Sequence, residues 1–275
     1  MDYPCWVEWR KKVEIICPAW CPGVEKLVEA IGLLADQGVT AVEIGIGHPQ
    51  YFDHGNGFEL QKLMTELSKT GVRVHSIHSP FGPEYDLSSP DDAIHERGVD
   101  GLIQSIELAS VIESGNVIVH ASDLLPNGQS RRMDRARGVL REVSVVAKES
   151  GIMLALENLP PGYLGHTPEE IVGLLNGMDP EAIGVCYDSG HANLSGKFDE
   201  FTEALLPYSV TTHLHDNDGV TDQHRFPGQG TINWHRFAGI YHSTRCRASI
   251  MLECKLPENA VWSEAFHRFR SELGE

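Results

Sequence analysis

Residue types that bind divalent cations occur at six points along the chain, each at the end of a short apolar run. Histidine, aspartate and glutamate supply the nitrogen and oxygen ligands of sites for Mn, Mg, Co or Zn. An unpaired carboxylate is costly to bury, so an acid that ends an apolar run needs a neutralising partner. These residue types predict metal-assisted chemistry. The six points are His78, His120, Glu157, Asp188 with His191, His213 with His215, and Glu253.

Each of these residues, taken alone, has an ordinary structural explanation. A single histidine after a strand is more often a hydrogen-bonded structural group than a ligand. Glu157 and Glu253 are harder to explain, because the neighbouring runs offer no obvious lysine or arginine to pair with them. Metal binding becomes the favoured interpretation if the fold brings the six points together.

A polar loop at residues 222–231 follows the last histidine pair and carries Asp222, His224 and Arg225. Loops concentrate both solvated and functional side chains, so this loop alone is equally well explained as solvated surface. Beside the histidine pair, these three residues are candidates for a second metal or for substrate binding.

The elements that must position these residues alternate along the chain. Short β-branched and apolar runs predict eight strands, and longer amphipathic stretches between them predict helices. The predicted strands are Val13–Cys17, Ala41–Gly47, Arg73–Ser79, Asn116–Ala121, Ile152–Asn158, Ile183–Asp188, Val210–Asp216 and Ser249–Lys255.

Glycines and a Thr-Pro pair mark helix ends. Thr167-Pro168 predicts an N-cap followed by proline at the first helical position. Four other helices each precede a glycine expected in the left-handed conformation. They are Val24–Gln37 before Gly38, Phe58–Lys69 before Gly71, Ile94–Glu113 before Gly115, and Arg131–Glu149 before Gly151.

Eight strands alternating with helices predict an α/β fold, a single (β/α)8 TIM barrel that forms one domain over residues 1–275. In such a barrel the carboxyl ends of the strands converge at the face that carries the active site. An open doubly wound sheet is the alternative, but no G-x-G-x-x-G motif follows the first strand.

Charge and composition limit the classes of partner. Acids outnumber bases 39 to 22, giving a formal net charge of −17, which disfavours binding to extended nucleic acid. No apolar run approaches the length of a membrane span, and the N-terminus lacks the build of a signal peptide, so we expect a cytoplasmic protein. The six cysteines are expected to be reduced thiols that mostly pack. A homo-oligomer remains open.

In this order, the motifs resemble the xylose isomerase-like TIM-barrel superfamily, which includes sugar phosphate isomerases and epimerases and AP endonuclease family 2 enzymes. The resemblance runs from about Val13 to Lys255. Its motifs are the histidine at 78, Val-Ile-Val-His at 117–120, Leu-Glu-Asn at 156–158, Asp-x-x-His at 188–191, His-Leu-His-Asp-Asn-Asp at 213–218, Pro-Gly-Gln-Gly-Thr-Ile-Asn-Trp at 227–234, and Leu-Glu at 252–253.

The epimerase branch of this family implies one divalent metal (Mn, Zn, Co or Mg) held by Glu157, Asp188, His213 and Glu253. An alignment on His-x-x-Asp selects His213, whereas an alignment on His-x-His selects His215; we favour His213. The endonuclease branch implies three zincs whose further ligands match His78, His120, His191, Asp222 and His224. The sequence carries every one of those positions, so more than one metal is open.

The favoured function is isomerisation or epimerisation of a sugar, sugar phosphate or related polyol through an enediolate. Glu157 and Glu253 would exchange the proton, and His191 would hold a substrate hydroxyl. A metal-dependent phosphoesterase, a lyase or dehydratase on the same metal, and a carbohydrate-binding barrel without turnover are the alternatives. Substrate choice would depend on loop residues at the barrel mouth, such as Trp20, Phe81, Tyr163, Arg225 and Phe226.

Overall fold

The structure is a computed structural model that describes residues 14–47, 55–124, 129–244, 246 and 248–274. Val13, the first residue of a predicted strand, and Cys5 lie outside these ranges. Short strands and helices alternate throughout the described part. The strands are β1 Ile16–Pro18, β2 Ala41–Gly45, β3 Arg73–His78, β4 Asn116–Val119, β5 Met153–Glu157, β6 Ile183–Asp188 and β7 Ser209–His213.

The N-terminus of α5 (Pro168–Leu175) forms as its Thr-Pro signal predicts. Thr167 Oγ1 accepts the backbone N–H of Glu170 at 3.2 Å, and Pro168 occupies the first turn. The α-helices of the described residues are α1 Leu27–Asp36, α2 Gly57–Thr70, α3 Asp92–Val111, α4 Gln129–Glu149, α5 Pro168–Leu175, α6 Ser189–Leu194, α7 Phe198–Leu205, α8 Trp234–Thr244 and α9 Trp262–Leu273.

One of the four predicted glycine caps is wrong. Gly38, Gly71 and Gly151 have the expected positive φ, but after α3 the left-handed residue is Glu113, at φ 57°, and not Gly115. The helix ends at Val111, two residues earlier than predicted, so the turn falls on the glutamate.

The strands form a parallel sheet in the order β1 to β7. Residues 249–252 close the sheet into a barrel through isolated parallel bridges. On one side, Ser249 bridges Thr211 of β7 and Leu252 bridges Leu214, directly after β7. On the other side, Met251 bridges Ile16 of β1. The sequence predicts a continuous eighth strand at this position, but the structure has only isolated bridges there. The chain therefore has the TIM-barrel fold that the sequence predicts.

Small apolar clusters fill the barrel beneath the carboxyl ends of its strands. One consists of Ile16, Ala41 and Met251, and another of Ile118, Ala155 and Cys186. Alternate residues of a strand share a face, so the residues two positions later point toward the same interior, one layer higher. Those residues are Pro18, Glu43, His120, Glu157, Asp188 and Glu253.

Two register shifts alter the barrel wall near this upper layer. Val42 pairs with Val74 but Glu43 pairs with Ser76, and Val185 pairs with Ser209 but Cys186 pairs with Thr211. Such irregularities re-aim side chains locally. No helix in the described ranges has the length and apolar character needed to cross a membrane.

Candidate metal centre and active-site cavity

A cavity of about 140 Å³ opens at the carboxyl ends of the strands. Asp188, His213 and His215 lie beneath its wall and are fully buried. All residues predicted from the six strand ends are therefore at or directly below one cavity. Of these residues, the ones that line the cavity are His78, His120, Glu157, His191 and Glu253, and Asp222 and His224 of the following loop line it as well.

Glu157, at the end of β5, is the centre of a histidine cluster. Its Oε2 lies 3.1 Å from His120 Nε2 and 3.4 Å from His78 Nε2, and its Oε1 lies 3.3 Å from His191 Nδ1. One carboxylate thus faces imidazoles from β3, from the end of β4 and from α6.

His213, the last residue of β7, lies between acids on both edges of its ring. Nδ1 is 3.0 Å from Glu253 Oε2 and 3.5 Å from Glu157 Oε2, whereas Nε2 is 3.2 Å from Glu43 Oε2. The imidazole therefore connects three carboxylates that come from β2, β5 and the closing segment.

Asp188 and His215 form a neighbouring pair. His215 Nε2 lies 3.2 Å from the Asp188 carboxylate, which also accepts the backbone N–H of His191 at 2.7 Å. This N-cap contact begins α6 directly after β6 and so fixes His191 beside the strand end.

Asp222 joins the loop after β7 to the same cavity. Its Oδ2 lies 3.3 Å from His191 Nε2 and 3.2 Å from His224 Nε2. The rings of His215 and His224 stack with centroids 4.1 Å apart. The polar loop that sequence alone could explain as solvated surface thus contributes to the cavity.

Backbone carbonyls orient three of these imidazoles in the same way. His78, His191 and His224 each place Nδ1 2.9 Å from a carbonyl oxygen, of Ser79, Asn158 and Glu253 respectively. A carbonyl only accepts, so the neutral ring carries its proton on Nδ1 and leaves Nε2 with a lone pair. Each Nε2 faces a carboxylate, which is the arrangement of a metal ligand whose other nitrogen is held by a hydrogen bond.

Three buried polar atoms at this site lack a hydrogen-bond partner among the described residues: His213 Nδ1, His215 Nδ1 and Glu253 Oε2. Unpaired buried polar groups are rare and costly, and a cation would satisfy a bare nitrogen and a bare carboxylate oxygen together. The mixed donor set is suited to Mn, Co, Zn or Mg. The residues present therefore fit a divalent metal.

Electrostatics favour the ionised form of Glu157. Burial acts to raise the pKa of Glu157, but His213 and His120 outweigh it and hold the pKa well below its ordinary value. Burial lowers the pKa of His120 despite the nearby Glu157. Burial also acts to lower the pKa of His191, but Asp188, together with Asp222 and Glu157, raises it well above its ordinary value.

Of the five residues predicted at the barrel mouth, Trp20 and Phe81 line the cavity, and the other three do not. Phe226 is wrong as a mouth residue, because its ring is 3% exposed and packs in the core. Arg225 and Tyr163 are not among the lining residues, and Arg225 Nη1 donates to the carbonyl of Gln229 instead.

Sequence reasoning missed Glu43. It lies within an apolar strand, which is the same signal that singled out Glu157, but inside the run rather than at its end. Cys186 also lies close to Glu157 and His213, and burial raises the pKa of its thiol. A protonated thiol agrees with the packing role expected for the cysteines.

Comparisons with known proteins agree with this architecture. A family model described as Xylose isomerase-like TIM barrel matches residues 31–272. Uncharacterized protein MJ1311 of Methanocaldococcus jannaschii is 30% identical over 218 residues, covering 76% of this chain and 73% of that protein. "Probable endonuclease 4" of Sulfurihydrogenibium sp. is 24% identical over 197 residues, covering 65% of this chain and 70% of that protein.

Among solved structures, a D-tagatose 3-epimerase-like protein aligns with a TM-score of 0.80 and 25% identity, covering 94% of this chain and 97% of its own. The relatives of this chain by sequence and by structure thus carry names of both endonucleases and sugar epimerases. Since the family model spans most of the barrel, including every strand from β2 onward, the chain belongs to the xylose isomerase-like TIM-barrel family.

Proposed function

We propose that this protein is a divalent-metal-dependent isomerase or epimerase that acts on an unphosphorylated sugar or related polyol. The observation that carries the proposal is the placement of two glutamates, Glu157 and Glu253, at one small cavity and within 3.5 Å of the same histidine nitrogen, Nδ1 of His213. Two carboxylates beside a cation are the minimal equipment for moving a proton between carbons of a sugar.

The residues that would hold the metal are Glu157, Asp188, His213 and Glu253. His213 is favoured over His215 because its unpaired Nδ1 lies within 3.5 Å of both glutamates. His215 also has an unpaired Nδ1, but its Nε2 faces only Asp188 among the four proposed ligands. When bound, the divalent ion supplies Lewis acidity that polarises a substrate carbonyl and acidifies the neighbouring C–H bond.

Proton transfer falls to the glutamates. Glu157, kept ionised by its low pKa, takes a proton from the carbon next to the carbonyl and leaves an enediolate. Glu253, in its protonated form, delivers its own proton to the opposite face, which inverts the configuration, and exchange with solvent then returns both glutamates to their starting protonation states. Delivery of the proton to the neighbouring carbon gives the isomer instead. His191, with its raised pKa, donates a hydrogen bond to a substrate hydroxyl and orients it.

The charge of the cavity supports an unphosphorylated substrate. No lysine or arginine is among the lining residues of the described chain, while Glu43, Glu157, Asp222 and Glu253 are. A phosphate would meet net negative charge there, whereas a neutral sugar meets hydrogen-bonding groups. Trp20 and Phe81 offer apolar ring faces on which the C–H face of a sugar can stack.

Solvent deuterium exchange tests this proposal across many candidate sugars. The purified protein, reconstituted with Mn, Co, Zn or Mg, is incubated in D2O with a panel of free ketoses and aldoses. Proton NMR should show deuterium at the carbon adjacent to the carbonyl, together with an epimer or isomer. Elimination products would replace the proposal with a lyase or dehydratase, and no exchange with any sugar would overturn it.

A metal-dependent phosphoesterase is the second candidate, favoured by a different observation. His78 and His120 face Glu157, and His191 and His224 face Asp222, so donors for further ions surround the first site. Several ions would offset the negative charge and could bind a phosphate. Two or three zincs per chain by elemental analysis, with cleavage of an abasic oligonucleotide or a phosphate ester, would favour this function; one metal would favour the first.

A further inference from the structure

Glu43 is a buried carboxylate that the proposed proton transfer does not use. It lies in the middle of β2, where its neighbours are Ala41, Val42 and Ile44, and its side chain is only 4% exposed. A carboxylate in such a position needs compensating contacts to be tolerated. Those contacts define what Glu43 can do.

Two side chains converge on one oxygen of Glu43. Ser76 Oγ donates a hydrogen bond to Oε2 at 2.6 Å, and His213 Nε2 lies 3.2 Å from the same oxygen. The register shift between β2 and β3 produces this contact, since it pairs Glu43 with Ser76. Without the shift, the register set by Val42 and Val74 would pair Glu43 with His75.

The contact determines the tautomer of His213. An ionised carboxylate only accepts hydrogen bonds, so the Nε2 that faces Glu43 carries the ring proton. Ser76 Oγ donates to the same carboxylate oxygen, so this oxygen is the acceptor in both of its contacts. A neutral His213 then has its lone pair on Nδ1, the unpaired atom that faces Glu253 and Glu157.

His213 differs from three other histidines of the site in which ring nitrogen is held by a hydrogen bond and in what holds it. His78, His191 and His224 present Nε2 to the cavity and are held through Nδ1 by neutral carbonyls. His213 presents Nδ1 and is held through Nε2 by a charged group. A carboxylate behind an imidazole strengthens it as a ligand more than a carbonyl does, because the negative charge increases its basicity.

We propose that Glu43 is a positioning residue of the metal centre: the chain Ser76 Oγ to Glu43 to His213 Nε2 holds His213 in the orientation and tautomer that present Nδ1 to the ion. The inference rests on the metal-binding part of the proposed function and is independent of which sugar is the substrate. Glu43 acts through His213 and is not itself a ligand.

Metal titration of the full chain tests the role directly. Competition with a chromogenic chelator gives the Zn affinity of the wild type, Glu43→Gln and Ser76→Ala. Loss of a residue that supports a ligand typically weakens metal affinity by about 10–100-fold, and we expect this for Glu43→Gln. Ser76→Ala should show a smaller loss, and Glu43→Asp should recover part of it.

A matched control is Glu170→Gln. Glu170 is also a partly buried carboxylate beside a histidine, with Oε2 3.0 Å from His166 Nδ1, but it lies outside the cavity lining. Its substitution should leave metal affinity unchanged. Ser76→Ala is the second variant if Glu43→Gln fails to fold, since it removes only one hydroxyl.

Cobalt spectra separate positioning from direct ligation. At saturating Co(II), Glu43→Gln should keep the wild-type band positions, because the ligand set is unchanged. Altered bands would show that Glu43 is itself a ligand and would overturn the proposal. Wild-type zinc affinity in Glu43→Gln would also overturn it while leaving the proposed function standing. A wild-type protein that binds no metal would overturn both.

Discussion

Asp216 and Arg225 exchange two backbone hydrogen bonds, each 2.8 Å long from N to O. The exchange closes residues 216–225 into a loop and places Asp222 and His224 over the cavity. The Asp216 carboxylate adds further support, because it accepts the backbone N–H groups of Gly228 and Ile232 and the indole N–H of Trp234.

The first prediction is that Asp216→Ala destabilises the protein by about 3–5 kcal/mol, because it leaves several buried donors without an acceptor. Urea unfolding of chelator-treated protein measures the change. Asp218→Ala, two residues along the same loop, serves as the control and should have a smaller effect, because Asp218 is only half-buried and its carboxylate accepts from the exposed backbone N–H groups of Val220 and Thr221. Equal destabilisation by the two variants would show that the Asp216 contacts are not what holds the loop.

The second prediction concerns Gly190 in α6. A Cβ at this position would overlap the imidazole of His215, whereas a Cβ at Gly239 in α8 would meet nothing within 4 Å. Gly190→Ala should therefore displace His215 and destabilise the protein by about 1–3 kcal/mol or more, as overpacking does. Gly239→Ala should be neutral or slightly stabilising, since this glycine is exposed within its helix. Thermal unfolding of both variants compares the same substitution with and without the contact.

The third prediction concerns the two glutamates that are proposed to transfer the proton. Glu157→Gln and Glu253→Gln should each lower turnover by at least about 100-fold, since general acid–base catalysis contributes that much. Metal content measured on the same samples shows how much of the loss follows from weaker binding. Full metal content with full turnover in Glu157→Gln would rule out the assignment of that residue.

The fourth prediction is a pH dependence that His224 produces in the metal-free protein. Burial acts to lower the pKa of His224, but Glu253 and Asp222 raise it from 6.5 to about 9. A raised pKa means that the proton favours the folded state. This stabilisation is fully present below about pH 6.5 and is lost as the pH rises to about 9, by at most about 3 kcal/mol.

Urea unfolding at pH 6.5 and 9.5, in the presence of a chelator, measures that loss. His224→Gln should show a smaller change between the two pH values than the wild type. A pH dependence as steep as that of the wild type would assign the effect to other groups. Zn affinity should change in the opposite direction, increasing with pH, because a protonated His224 places a positive charge beside Glu253, one of the proposed metal ligands.

The sequence predicts the fold because its periodic signals are strong. Ile183–Asp188 coincides with β6, and the other strands within the described residues differ from their predicted bounds by a few residues at the ends. The sequence predicts a continuous strand from Ser249, whereas residues 249–252 form isolated bridges. Their apolar pattern shows that they are buried against the barrel, and it does not show how regular their pairing is.

The sequence predicts those residues of the candidate site that lie at the ends of the predicted strands. His78, His120, Glu157 and Glu253 follow that rule, and parallel strands in a barrel bring their ends together. Glu43 does not, because a register shift within the sheet gives it its partner. The choice between His213 and His215 likewise depends on which ring nitrogen faces which carboxylate, and no spacing in the sequence contains that information.

The closing bridges between residues 249–252 and both β7 and β1 have a consequence for biosynthesis. Glu43 is translated early and Glu253 near the end of the described chain, yet both reach His213. A ribosome-bound chain that ends before this segment has neither a closed barrel nor Glu253. The complete set of proposed metal ligands is thus present only after Glu253 has emerged, so the proposed site cannot form on a shorter nascent chain.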